Sequence, residues 1–381
     1  FFAIISLLIK EKKQVKRLLS AILAATLVVG GLAGCSSPEQ PQEKELLPPE
    51  EKDFMELTVF NDDMLNAYLQ PYWYTREIYN EPVLFVGEEG EATLMYEPSE
   101  VHSVQNSFLS MMYEEGKDYV IEGRTIRRVK GGNAPYIAVD DYFMKEPNHP
   151  EVVIEADPKK TDIPFSETRY LPYGEGTTFT SRQVVITYRT DEVFNGTIPQ
   201  YQPEKLTNFL TKLQNKEELR IMVYGDSVAA GCNASGTSYG GNVNPYMPTA
   251  PELVKLYLEK NYDAKITLGN KAVGGWKVRD CINNYNGLLK DEKIDLLILR
   301  IGGNDSDSNM DKYLSEITQL LDLFFADHPE ANVILQTPEL PNQQSMWTGC
   351  LNELEDWAIE AVNGHSFSEQ IAVAPVQTFT N

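Results

Sequence analysis

"LRIMVYGDSVAAG" occupies residues 219–231. An almost unbroken apolar run stops at Gly225-Asp226-Ser227, and small residues follow. Consecutive apolar residues leave no strand face for water, so the run predicts a strand covered on both sides, as in a parallel sheet flanked by helices. Four later runs share this character: "AKITLGN" (264–270), "IDLLILRIG" (294–302), "NVILQTP" (332–338) and "QIAVAPVQ" (370–377).

Helical spacing fills the intervals. Met310, Tyr313, Leu314, Ile317, Leu321 and Phe324 form one face, Leu253, Val254, Tyr257 and Leu258 form another after Pro251, and a further helix is expected through Met346, Leu351, Leu354 and Trp357. Strand and helix in alternation predict a three-layer α/β domain over residues 201–381. Ligands of such sheets bind outside the carboxyl ends of the strands.

Upstream, residues 53–200 are dense in Tyr, Val, Thr and Phe, in short runs broken by Gly, Pro, Asn and Asp. This predicts a β-sandwich, jelly-roll-like domain, with a hairpin in "DYVIEGRTIRRV" (118–129) turning at Glu122-Gly123 and strands in "PEVVIEA" (150–156) and "RQVVITYR" (182–189). Tyr72, Trp73, Tyr74 and Tyr79 of "QPYWYTREIY" suit either sugar stacking or, by the commoner use of aromatic side chains, a packed core.

The N-terminus differs again. "KEKKQVKR" is basic, "LLSAILAATLVVGGLA" is apolar and short, and "LAGC" ends in Cys35. The stretch resembles a bacterial lipoprotein signal, which implies that Cys35 becomes a lipidated tether and that the protein is extracytoplasmic and membrane-anchored. Residues 1–14 read as leader upstream of a start at Val15, and "SSPEQPQEKELLPPEEK" (36–52) as a disordered, solvated linker. The formal charge of −23 argues against nucleic-acid partners, which need clustered Lys and Arg. Cys232, Cys281 and Cys350 lack zinc-site spacing and read as small apolar residues.

Three motifs fall at successive strand ends: Gly225-Asp226-Ser227, "NKAVGG" (270–275) and Gly302-Gly303-Asn304-Asp305. Each alone is weak. In this order and placement they resemble the SGNH (GDSL-type) hydrolases, secreted esterases and lipases with a flavodoxin-like α/β/α fold; the resemblance covers residues 217–381. It implies that Ser227 is the nucleophile and that the backbone N–H groups of Ser227 and Gly275 and the Asn304 amide stabilise the oxyanion. Gly274 and Asp226 complete the set as substrate-binding positions, and no metal or organic cofactor is implied. From the residues alone, Ser227 could instead be a helix N-cap, Gly274 and Gly275 a plain turn, and Asn304 an Asx-turn. Asp226 and Asp305 are expected to stabilise their own turns.

The family also carries Asp-x-x-His, whose histidine takes the serine proton. Here His102, His149, His328 and His365 are preceded three residues earlier by Ser99, Glu146, Phe325 and Val362. His328 and His365 are expected to cap helices, and His102 and His149 to be structural. The fifth strand is also expected to leave one sheet face short of a helix, so the base is expected beyond Asn381. The front domain joined to this fold resembles carbohydrate esterases and implies an acylated, first of all acetylated, polysaccharide as substrate. The polar loop "CNASGTSYGGNVNPYMP" (232–248) suits a glycan or small ester better than a lipid. Alternatives are a glycan-binding lipoprotein with an inactive hydrolase domain, or a lipase of the same family. An ordinary α/β-hydrolase is disfavoured because Ala229 stands where Gly-x-Ser-x-Gly needs glycine.

Overall fold

The computed structural model describes residues 54–346 and 349–379. The signal, Cys35 and the linker therefore lie outside the described residues. Among the described residues no helix is long and apolar enough to cross a membrane.

The front half forms six short strands: β1 (Glu77–Leu84), β2 (Glu91–Thr93), β3 (Pro98–Asn106), β4 (Tyr119–Glu122), β5 (Thr125–Arg128) and β6 (Gln183–Thr190). They make two antiparallel three-stranded sheets, ordered β1-β6-β3 and β2-β5-β4. Both feed one core, in which Val83, Val104, Ile186 and Tyr188 of the first sheet join Tyr119 and Ile126 of the second. The β4–β5 hairpin pairs Glu122 with Thr125 across Gly123, whose φ of 58° supplies the left-handed turn residue. Trp73 is buried and packs edge-on against Tyr72, so at that position the aromatic cluster serves the core.

"PEVVIEA" is not a strand. Its alternation is right, but no ladder partner is at hand: Glu155 and Ala156 make only isolated bridges, to Tyr170 and Ser345, and Val153 is exposed. Residues 143–179 instead run as an irregular segment over a small core of Phe143, Ala156 and Leu171.

In the second half β7 (Glu218–Gly225), β8 (Lys265–Asn270), β9 (Leu296–Arg300), β10 (Asn332–Gln336) and β11 (Ile371–Ala374) form a wholly parallel sheet in the order β8-β7-β9-β10-β11. This is the flavodoxin-like order, with its switch point between β7 and β9. The helices are α1 (Thr207–Gln214), α2 (Ser227–Ala230), α3 (Ala250–Tyr262), α4 (Val278–Leu288), α5 (Met310–Asp327) and α6 (Leu354–Asn363). Alternate strand residues Met222, Tyr224, Leu297 and Leu299 pack under α4, α5 and α6. Their neighbours Ile221, Val223, Leu296 and Ile298 pack under α1 and α3. Thr249 and Glu252 close a capping box that starts α3, and the Asn309 side chain accepts the Lys312 N–H to start α5.

Two expectations change here. The sheet face expected to be short of a helix is covered by α1, through Phe209, Leu210 and Leu213. The helix expected from Met346 begins only at Leu354, because Met346 is exposed and its N–H is spent on the Glu155 carbonyl.

Candidate active site

The chain leaves β7 and enters α2 in a single step. A methyl carbon placed on Gly225 would stand 1.7 Å from the Arg300 carbonyl oxygen, and φ there is 142°, so only glycine lets the strands approach this closely. Asp226 is the N-cap: its Oδ1 accepts the Val228 N–H at 3.0 Å. Ser227 is thus the first helical residue and not the cap. Among the described residues nothing hydrogen-bonds its hydroxyl or its N–H.

The second motif is drawn alongside. Beyond β8, the N–H groups of Lys271 and Val273 donate to the carbonyls of Val223 and Gly225 at 2.9 and 3.0 Å. Gly274 therefore meets the serine: a methyl carbon on it would lie 3.8 Å from Ser227 Cβ and 3.1 Å from the Tyr239 hydroxyl. Gly275, at φ 78°, faces open space, and among the described residues its N–H has no partner. Gly274 and Gly275 do form a turn, but a turn placed against the serine.

The third motif closes the ring. Asn304 Nδ2 donates to the Trp276 carbonyl at 3.0 Å, directly beside Gly275. It does not close its own Asx-turn. A primary amide has two hydrogens, so one is left for another acceptor. Ser227, Gly274, Gly275 and Asn304 are therefore gathered at one place, outside the carboxyl ends of β7 and β9.

Beneath them lies a residue that motif reading overlooks. Arg300, the last residue of β9, is buried and pairs with Asp226 on one arm and Glu339 on the other. Burial works against its charge, but Glu339 and Asp226 outweigh burial and hold the guanidinium's pKa above its ordinary value. A charge inside an apolar run was the available signal, because a buried charge demands partners. Asp226, placed above among substrate-binding positions, is 0% exposed and fully engaged, so it positions the turn and touches no substrate. Asp305 also departs from expectation. Its Oδ2 reaches past its own turn to the Val278 N–H at 3.3 Å, tying the third motif to the start of α4. Cys232, near the site, is no rival nucleophile: burial and the neighbouring Glu175 push its thiol up to about 11.

All four histidines are engaged elsewhere. His102 Nε2 lies 2.8 Å from Glu77, His149 Nδ1 accepts the N–H groups of Glu151 and Val152, His328 Nε2 lies 3.1 Å from the Leu289 carbonyl, and His365 Nδ1 accepts the Phe367 N–H at 3.1 Å. None of them reaches Ser227.

No protein-family model matches the chain, and no curated protein matches it. Solved structures resemble it in part. LAE5, an α/β hydrolase from the metagenome of Lake Arreo, Spain, shares 18% identity over 42% of this chain and 77% of its own, with a TM-score of 0.33. Axe2, an acetylxylan esterase from Geobacillus stearothermophilus, shares 17% over 41% and 74%, with a TM-score of 0.31. TesA shares 17% over 41% and 77%, with a TM-score of 0.31. Likenesses this distant leave the function to the geometry of the site itself.

Proposed function

We propose that the chain is a serine esterase that cleaves an acyl ester of a neutral carbohydrate. One observation carries the reading: an unbonded serine at the end of an interior parallel strand faces a glycine turn with a free N–H and an anchored amide. In the proposed reaction Ser227 Oγ attacks the ester carbonyl and its proton passes to a base. The carbonyl π electrons move to oxygen, where the N–H groups of Ser227 and Gly275 and the free Asn304 hydrogen stabilise the charge. Collapse expels the alcohol, which takes the proton back, and water then hydrolyses the acyl-serine to release the acid. The proton acceptor is a component that none of the four histidines supplies.

The lipoprotein-like signal supports an extracytoplasmic, membrane-tethered placement, and the acidic charge supports a neutral glycan over an anionic one. A second reading, a glycan-binding lipoprotein whose hydrolase domain is inactive, draws on the missing histidine contact alone. Hydrolysis of p-nitrophenyl acetate and acetylated xylo-oligosaccharides by the full chain and its Ser227→Ala variant separates the two. Turnover lost in the variant supports the esterase; equal turnover removes Ser227 from the mechanism; no turnover by either supports the binding protein.

A further inference from the structure

A cavity of about 330 Å³ lies where the irregular segment of the front half meets the loops that follow β9 and β10. Its size falls within the range of small-ligand sites, roughly 300–1,000 Å³. Ile154, Leu171, Phe179 and Leu351 give it apolar walls, Tyr173 stands among them, and Gly303 forms part of its floor. None of the described residues lining it is charged.

The walls are held before any ligand arrives. The Asp157 N–H donates to the Gln344 carbonyl and the Met346 N–H to the Glu155 carbonyl, each at 2.8 Å, and the Tyr142 hydroxyl donates to the Gln344 side chain at 3.0 Å. Two residues beyond Gly174 of the cavity lining, the Gly176 N–H donates to Asn233 Oδ1 at 2.7 Å, in the loop that leaves the serine helix. The front half thus forms one side of the cavity. The other side begins at Gly303, the residue before the candidate oxyanion amide.

We infer that this cavity receives the acyl portion of the ester, and that this portion is an uncharged aliphatic chain longer than acetyl; the inference rests on the serine-esterase reading. The position fits. Gly303, which lines the cavity, immediately precedes Asn304, so the cavity adjoins the loop that carries the candidate oxyanion amide. The chemistry fits as well, since each methylene moved from water to such walls is favoured, whereas an acetyl group would leave most of the space unfilled. The front half is then a determinant of acyl specificity in addition to any contact with the glycan.

The test is the chain-length profile of the full chain on p-nitrophenyl acetate, butyrate and hexanoate, repeated with Ile154→Trp to fill the cavity and Phe179→Ala to open its wall. The expected result is a kcat/KM that rises roughly tenfold or more from acetate to hexanoate, and a hexanoate-to-acetate ratio that falls about fivefold or more in each variant. A variant that merely folds poorly loses both activities together and leaves the ratio unchanged. Ser227-dependent hydrolysis with a flat or falling profile overturns the cavity assignment and leaves the esterase standing. If no ester is cleaved, titration of Ser227→Ala with N-hexanoylglucosamine decides. Saturable binding lost in the double variant with Ile154→Trp keeps the cavity as an acyl site while the esterase reading falls; no binding overturns both.

Discussion

Asp226 directly follows β7 and Asp305 lies within the loop after β9; both are buried, yet only the first meets a cation. Asp226 faces Arg300, a cation that is itself clamped by Glu339, and its second oxygen takes a backbone N–H. Asp305, equally hidden from solvent, has one backbone N–H on Oδ2 and no partner on Oδ1 among the described residues. Burial, with a smaller push from Glu316, raises its carboxyl from 3.8 to about 7. A buried carboxyl with a cation can hold a loop as a charged strut; one without a cation holds its loop best as the neutral acid. Burial still outweighs Arg300 and raises the Asp226 carboxyl above its ordinary value, so the serine loop is held by an ion pair that carries a desolvation cost, and the amide loop through hydrogen bonds and packing.

Removing the cation should have the largest effect. Arg300→Met leaves Asp226 buried and unpaired and is expected to cost about 3–5 kcal/mol of stability, read as a lower midpoint in urea unfolding. Arg300→Lys can hold one carboxylate and not both, and should fall between the two. Gly225→Ala comes next. Its new methyl meets the Arg300 backbone, and a loss of about 2–4 kcal/mol is expected by the same measurement. A loss under about 1 kcal/mol would show that the strand ends are not so tightly apposed.

At the cation-free aspartate the informative change is Asp305→Asn. Because the folded carboxyl titrates at about 7 and the unfolded one at 3.8, wild-type stability from this group is intact below about 3.8 and drains away as pH rises towards 7. The amide cannot ionise, so the variant should lack this fall, gaining on wild type by an amount on the order of 1–4 kcal/mol between these limits. A parallel pH dependence in the two proteins would place the titration elsewhere. The smallest effect is expected at Tyr239→Phe. This hydroxyl neighbours Gly274 but rests on a side chain 43% exposed, so stability should change by no more than about 0.5 kcal/mol.

Much of the sheet is readable in advance, because its strands are covered on both faces and therefore continuously apolar. Leu296–Arg300 and Asn332–Gln336 are buried at every position. The site is readable where chemistry is written in adjacent residues, as at Gly225-Asp226-Ser227. It is unreadable where the partner is distant. Nothing near Asp226 names Arg300 or Glu339, and nothing in "PEVVIEA" reveals that its backbone will bond to residues 344–346 and not to a neighbouring strand. Helix α1 escapes a sequence reading because its eight residues precede the first parallel strand, outside the strand-helix alternation that marks the others. The cavity is the extreme case, since its two walls are separated by more than a hundred residues of chain.

The most direct measurement is the intact mass of the full chain quenched during turnover of p-nitrophenyl hexanoate, followed by peptide mapping. The expected result is one hexanoyl group on Ser227, absent from Ser227→Ala. An acyl group on any other residue, or undiminished turnover in Ser227→Ala, would contradict the assignment of Ser227 as the nucleophile.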